Sequence, residues 1–337
     1  MQKKSLVLAI IFLLAGALAL TSCSDDPAPT IRPDYYWQDN NAPGETEPER
    51  PEEPAGEVEE IHETGRIEIP PYAERVVIQG IELHRTTVLP PVWDVPERPE
   101  PETVADSIIT TSLLQLAPLY MGELLAVMHT SAGDVVLRFF PTEAPMAVEN
   151  FLVHAYNGFY DGIIFHRVIP EFMVQTGCPL GQGTGGESIW GGQFGQEVSP
   201  QLRHFRGALA MAQSALPDSI GSQFYVVQNS SLDPGSRANF MNLLEAQDDE
   251  FDPFYDGSIA RIGDVFTAES INYFLENGGT PHLDWHNSDN PHTVFGHAVW
   301  GMDVIDEIAN TPTGANNRPV EDITINGFSF FTVRGGV

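Results

Sequence analysis

Two residue patterns in this chain could support cofactor or metal chemistry. The first is the spacing of Gly181, Gly183 and Gly186, which satisfies the G-x-G-x-x-G pattern of dinucleotide-binding loops. That pattern needs a strand before it and a helix after it, whereas here the sequence ESIWGG follows. We therefore interpret the segment as a glycine-rich loop and expect no dinucleotide.

The second pattern is a group of imidazoles and carboxylates that could hold zinc. Its members are His282, Asp284, His286, Asp289, His292 and His297. Their spacing does not suit a tetrahedral site. A polar loop is the favoured interpretation, and we expect no metal and no other cofactor.

A third group places one cation and one amide among apolar side chains: Arg167, Phe172, Met173 and Gln175. Taken singly, an arginine in a β-rich stretch is more often an ion-pair partner, and Phe and Met are more often core residues. The residue types alone therefore leave both interpretations open.

The composition excludes several functions. With 47 Asp and Glu against 16 Lys and Arg, the formal net charge is −31, which repels phosphate backbones and anionic lipids. We expect no nucleic-acid partner. Both lysines, Lys3 and Lys4, lie at the extreme N-terminus, so a Schiff-base or Walker-type lysine is excluded from the mature protein. The two cysteines do not suffice for a disulfide scaffold.

Short strands must position the third group. After about Met121, β-type runs predict strands at 124–129, 135–140, 163–169, 172–175, 208–211, 223–227, 293–299 and 323–330. Helical spacing between Pro145 and Gly158 predicts one helix, and residues 302–309 predict a second. The pattern favours a mainly β fold, a closed or nearly closed antiparallel barrel with helices over its ends.

Four sequence blocks resemble the cyclophilins, the barrel-shaped peptidyl-prolyl isomerases. They are FHRVIPEFMVQ at 165–175, which matches the signature FHR-x-I-P-x-F-M-x-Q, then RGALAMA at 206–212, GSQFY at 221–225 and HTVFG at 292–296. The resemblance covers about residues 124–330. It implies an eight-stranded antiparallel barrel capped by two helices.

The resemblance also implies site residues. Arg167 would be a cation near the prolyl nitrogen and carbonyl, and Gln175 would help to hold the substrate carbonyl. Matches to the proline pocket and to the edge that binds the preceding residues are Phe172, Met173, Ala212, Gln213, Tyr225, His282, Leu283 and His292. Tyr225 stands where the family usually has Phe, and Gln213 where it often has Asn. His282 replaces, at the rim, the tryptophan with which animal members bind cyclosporin.

The implied reaction breaks no covalent bond. Rotation about an X-Pro bond faces a barrier of about 18–20 kcal/mol because amide resonance opposes it. A catalyst needs a pocket for the proline ring and a cation that favours the twisted amide. The resemblance thus predicts a monomeric isomerase that needs no cofactor and acts on Pro-containing unfolded or partly folded proteins. The alternative is a non-catalytic module, a chaperone or adhesin, that holds such segments.

The N-terminus indicates export. Two lysines, an uncharged run at 6–20 and Thr21-Ser22-Cys23 follow the order of a signal peptide, and the run is short for a transmembrane helix. LTSC at 20–23 resembles the lipobox of bacterial lipoproteins. We predict a lipoprotein signal peptide at 1–22 and an acylated Cys23 that anchors the protein, outside the cytoplasm, to the cell membrane or an outer membrane.

Composition divides the rest of the chain. Residues 23–106 are acidic and Pro-rich, which predicts a disordered tether. Within it, apolar and polar residues alternate at 66–93, a pattern compatible with a small β-unit. Residues 107–121 are interpreted as a linker before a domain at 122–331. An insertion at 235–279, with a helix predicted at 268–276, exceeds a minimal cyclophilin. It is either a helical cover on one flank or a substrate-selecting lip.

Overall fold

The computed structural model describes residues 60–61, 68–87, 89, 113–199, 201–216, 218–251, 260–284 and 290–335. The predicted signal peptide, the lipid-anchor residue Cys23 and most of the predicted tether lie outside the described residues. In the described part, no helix has the length and apolar character needed to cross a membrane.

The elements follow one another as strands with a few helices between them. The strands are β1 Glu60–Ile61, β2 Arg75–Ile78, β3 Ile81–Arg85, β4 Leu124–Thr130, β5 Gly133–Phe139, β6 Arg167–Ile169, β7 Met173–Thr176, β8 Ala208–Met211, β9 Phe224–Val227, β10 Glu250–Phe251, β11 Ala260–Arg261, β12 Val294–Trp300 and β13 Ile325–Gly335. The α-helices are α1 Pro145–Tyr156, α2 Pro234–Glu245, α3 Ile262–Val265, α4 Ala268–Asn277 and α5 Met302–Ala309.

Eight of the strands form the antiparallel body that the sequence predicts, in the order β13-β4-β5-β12-β8-β9-β7-β6. The sheet does not close into a barrel, because no ladder in the described residues joins β6 to β13. A single bridge between Ile164 and Thr324 links the chain before β6 to the chain before β13. The prediction of a mainly β, antiparallel fold is confirmed, but the sheet is open, and one short bridge brings its ends together.

Two helices pack on this body, as predicted. The body's core contains Val148 and Phe151 of α1 and Ile305 of α5. Phe151 is fully buried and contacts several aromatic rings, among them that of Phe224 at 5.0 Å between centroids. Burying a side chain of this size stabilises the fold by about 1.5–3 kcal/mol. The helices therefore fix the strands from which the site is built.

An N-terminal hairpin extends the same sheet. β2 and β3 pair through a two-residue turn, Gln79-Gly80, with positive φ at both residues, and β3 pairs antiparallel with the second half of β13. Ile78 and Leu83 are fully buried beside residues of β4, β5 and β13. These strands lie within 66–93, so part of the predicted tether belongs to the folded domain.

The predicted linker also packs against the body where it is described. Leu113 is 4% exposed and Gln115 is 2% exposed. The Gln115 amide donates to Arg203 O at 2.8 Å and accepts from Arg203 N at 2.8 Å. Residues 113–121 are therefore anchored in the domain, which a composition argument could not indicate.

The insertion forms a small helical layer with its own core. Phe240, Ile271 and Phe274 pack there with Phe205 of the body. α4 begins after Thr267, whose hydroxyl accepts from Ser270 N, and ends before Gly278 at φ 81°. The helix predicted at 268–276 is Ala268–Asn277 in the structure.

Candidate active site

An open pocket lies beside β6 to β9. Its lining consists of residues that the family resemblance had singled out. They are Arg167, Phe172, Met173, Gln175, Ala212, Gln213, Tyr225, Leu283 and His292. The remaining residue of that set, His282, is not part of the lining, but its ring stacks on Phe172 with 5.7 Å between centroids. It therefore supports the rim from outside.

Strand pairing positions the polar end of the pocket. Arg167 on β6 lies opposite Gln175 on β7, and Arg167 Nη1 donates to Gln175 Oε1 at 3.2 Å. The guanidinium carbon lies 5.9 Å from the centre of the Phe172 ring. Burial lowers the pKa of Arg167, yet a guanidinium stays charged at neutral pH. No carboxylate among the described residues pairs with it, so its charge faces the pocket.

The floor of the pocket is apolar and uncharged. Met173 is 2% exposed and Tyr225 is 3% exposed. Burial, followed by the charges of His204 and His282, lowers the pKa of His292 to about 3, so this imidazole is neutral at neutral pH. The Tyr225 hydroxyl oxygen and His292 Nδ1 are hydrogen-bonded at 3.0 Å. A floor of this kind suits a proline ring, which carries no charge.

One edge of the pocket is made of irregular chain after β8. Ala212 N donates to Gln223 O at 2.9 Å. Gln213 Nε2 donates to Pro291 O at 3.0 Å, which ties this edge to the segment before His292. The edge is thus held on both sides.

Sequence reasoning assigned no role to Gln223, although it lay within a recognised block. Gln175 Nε2 donates to Gln223 Oε1 at 3.2 Å, and Gln223 Nε2 donates to Gly183 O at 3.1 Å and Gly185 O at 2.9 Å. The glycine-rich loop therefore orients the amide that orients Gln175. A signal existed, because Gln223 and Tyr225 are two residues apart in a β-type run and so share one face.

Sequence reasoning also missed a buried pair beneath the pocket. His204 Nδ1 and Asp284 Oδ1 are 2.7 Å apart, and the two residues are 1% and 2% exposed. The His204 ring lies nearly parallel to that of Tyr225, with 6.3 Å between centroids. Since Asp284 follows Leu283 directly, the pair anchors the segment that brings Leu283 to the pocket. Residues so far apart in sequence give no local signal.

The described histidines and aspartates of the group considered for zinc have different hydrogen-bond partners. His292 contacts Tyr225, Asp284 contacts His204, and His297 lies near Gln115, with 3.4 Å between Nδ1 and the amide nitrogen. His286 and Asp289 lie outside the described residues. Over the described ranges, no three His, Cys, Asp or Glu side chains are grouped to hold a metal.

Comparisons with known proteins point to one family. Residues 125–329 match the family model described as "Cyclophilin type peptidyl-prolyl cis-trans isomerase/CLD". A Staphylococcus haemolyticus protein named "Putative peptidyl-prolyl cis-trans isomerase" is 42% identical over 204 residues, which is 60% of this chain and 89% of that protein. A Staphylococcus aureus protein of the same name is 40% identical over 60% of this chain and 90% of its own length.

Among solved structures, a Cryptosporidium parvum cyclophilin type peptidyl-prolyl cis-trans isomerase, crystallised in the presence of the dipeptide Ala-Pro, is also similar. It matches with a TM-score of 0.44 and 24% identity over 63% of this chain and 99% of that chain. The family model and the two relatives suffice: the chain belongs to the cyclophilin-type peptidyl-prolyl cis-trans isomerases.

Proposed function

We propose that this protein accelerates cis/trans exchange at X-Pro bonds of proteins folding outside the cytoplasm, while a lipid on Cys23 holds it to a membrane. One observation carries the catalytic part. A guanidinium without a carboxylate partner among the described residues lies at the mouth of an uncharged pocket with a floor of Met173 and Tyr225. A cation that has no ion-pair partner among the described residues can donate to the nitrogen of a twisted amide bound in this pocket.

The proposed mechanism is stabilisation of that twisted amide. As the X-Pro bond rotates, the prolyl nitrogen regains its lone pair and becomes a hydrogen-bond acceptor. Arg167 donates to this nitrogen, an interaction that is stronger in the transition state than in the ground state. Gln175, oriented by Gln223, holds the substrate carbonyl. The proline ring rests on Met173 and Tyr225, so the rest of the chain turns around it.

Removal of Arg167 tests the catalytic role. We expect Arg167→Ala to keep its fold and to lose at least about tenfold in kcat/KM on an Ala-Pro peptide, equal to about 1.4 kcal/mol of transition-state stabilisation. Arg318→Ala is the matched control, because this exposed arginine contacts Gly181 O and Asp322 outside the pocket. A folded Arg167→Ala with wild-type turnover would refute the mechanism. A wild type that binds the peptide without turnover would favour the non-catalytic module.

The localisation is tested separately. We expect Cys23→Ser to release the protein from membranes, because the acidic segment after it has no affinity for anionic lipid. Fractionation of cells expressing the two forms measures this. If the serine form is processed yet still sediments quantitatively with membranes, the lipid anchor is wrong and the isomerase assignment is unaffected.

A further inference from the structure

The turn that presents Phe172 to the pocket has a backbone conformation that its sequence disfavours. Phe172 N donates to Ile169 O at 3.1 Å, so Pro170 and Glu171 are the central residues of a β-turn. Glu171 has a φ of 55°. Turns with positive φ at this place usually have Gly or Asn there, because a longer side chain is strained in this region. Contacts from elsewhere must hold Glu171 in place.

Gln228 supplies the main contact. The side-chain Oε1 of Gln228 accepts from Glu171 N at 2.8 Å, and the backbone N–H of Gln228 donates to Phe172 O at 2.9 Å. The other end of the amide donates to Asp306 Oδ1 at 2.8 Å, and Asp306 also accepts from Arg206 at 2.6 Å. Gln228 is only 3% exposed. A buried amide that is held at both ends thus joins the turn to helix α5.

The Glu171 side chain joins the same turn to the insertion. Its carboxylate accepts from Ser230 N at 3.1 Å and from the Ser230 hydroxyl at 3.0 Å. Ser230 lies where the chain leaves β9 for the insertion. A Cβ on Gly278 would lie 2.5 Å from Ser230 C, so the returning chain packs directly against this residue. Both ends of the insertion therefore meet at the contact that holds Glu171.

We propose that Gln228 is a positioning residue of the isomerase, which acts through the Glu171 turn to set Phe172 between Arg167 and His282. Phe172 is the shared neighbour, at 5.9 Å from the Arg167 guanidinium carbon and 5.7 Å from the His282 ring. A relaxed turn would move this wall away from both. Gln228 does not line the pocket, so its effect on substrate is indirect. The inference rests on the isomerase activity proposed above.

A rescue experiment tests this role. In Gln228→Ala the Glu171 N–H loses its acceptor, and we expect kcat/KM on an Ala-Pro peptide to fall about fivefold. Glycine adopts positive φ without steric penalty, so adding Glu171→Gly should restore kcat/KM to within about twofold of the wild type. Circular dichroism and thermal melting establish that both variants are folded. A folded double variant that stays as slow as Gln228→Ala overturns the proposal.

A matched control separates positioning from general destabilisation. Thr130 Oγ1 donates to Gly133 O at 2.6 Å and accepts from Ala132 N at 3.0 Å, at the turn between β4 and β5 and outside the pocket lining. Thr130→Ala should lower the melting temperature while kcat/KM changes by less than about twofold. An equal loss of kcat/KM in Thr130→Ala and Gln228→Ala would contradict the proposal.

Ser230→Ala keeps the test decisive if Gln228→Ala does not fold. It should lower kcat/KM about twofold in the wild type and have no effect in the Glu171→Gly background, where the carboxylate is absent. The same loss in both backgrounds would overturn the proposal. A wild type without isomerase activity refutes the proposed function instead, so the two failures are distinguishable.

Discussion

The N-terminal hairpin and the insertion are both attached to the eight-stranded body, but through different contacts. The hairpin is joined to the body by backbone hydrogen bonds between β3 and β13, and Leu83 is buried beside Val333 and Phe331. The insertion has a core of its own, which the body enters through Phe205 and Leu113. The hairpin is therefore part of the main sheet, whereas the insertion is a separate layer that packs against it.

The two regions also differ in their relation to the pocket. In the described part of the hairpin, no residue lines the pocket. The insertion, by contrast, leads directly into Thr280, whose N–H donates to His204 O at 2.8 Å, and then into His282 and Leu283. No described residue of the insertion itself lines the pocket. We therefore expect the hairpin to contribute mainly stability and the insertion to support the segment that carries Leu283.

The largest effect should come from the insertion core. Phe274 is 1% exposed and packs against Phe205 at 4.6 Å and Phe240 at 5.3 Å between centroids. Phe274→Ala should destabilise the insertion by about 3–5 kcal/mol and raise KM, because the segment with Leu283 loses its support. Denaturant unfolding and peptide kinetics measure both quantities, with exposed Met241→Ala as the control. If the variant is destabilised but its KM is unchanged, the insertion does not affect substrate binding.

The hairpin core should behave in the opposite way. Leu83 is fully buried, and Leu83→Ala should cost about 2–5 kcal/mol of unfolding free energy. We expect kcat/KM per folded molecule to change by less than about twofold, since the pocket is built from other strands. Tyr72→Ala, at a side chain that is 81% exposed, should change neither quantity. If Leu83→Ala impairs turnover as strongly as Phe274→Ala, the two regions are not functionally different.

Acid should destabilise the fold through two buried histidines, His292 in the pocket and His297 in β12. Burial lowers the pKa of His292 and of His297 to about 3, below the ordinary value of 6.5. Because the unfolded chain then binds more protons, this contribution to stability declines as pH falls from about 6.5 to 3. At pH 5 each histidine should lower the free energy of unfolding by about 2 kcal/mol relative to neutral pH. Urea unfolding at pH 7 and pH 5 measures the loss, and His297→Gln should reduce it. An unchanged pH dependence in that variant would contradict a neutral, buried His297.

The smallest effect concerns the rim next to the insertion. His282 stacks on Phe172 with 26° between ring planes, and an indole at this position would offer a larger apolar face. We expect His282→Trp to bind cyclosporin about tenfold more tightly, while short-peptide turnover stays nearly the same. His84→Trp, in the hairpin, should leave inhibition unchanged. Equal binding by the wild type and His282→Trp would show that this position does not contact the inhibitor.

Local patterns predicted the elements well. The helix predicted at 268–276 is α4 to within one residue, because a glycine stop such as Gly278 acts over one helical turn. The pocket residues came from a longer motif, in which alternation along β7 and β9 sets Met173, Gln175 and Tyr225 around one space.

Such local patterns could not predict contacts between residues that are far apart in the sequence. Alternation at 66–93 left a small β-unit open, but it could not identify β13 as the partner strand, because a period of two specifies a face and not a neighbour. The His204–Asp284 pair depends in the same way on chain segments that meet only after folding. The turn at Glu171 was hidden for a different reason, since its residue type argues against the conformation that it adopts.

The central place of β13 has a consequence for the order of folding. β13 is the last strand among the described residues, yet it pairs on one side with β3 and on the other with β4. β3 and β4 are synthesised before β13, so each has an open edge until β13 is available to pair with it. Contacts between such distant segments make folding slow and leave unpaired strands open to aggregation. A chain cut just before residue 325 would lose both ladders at once, so that neither the hairpin nor β4 would have its partner.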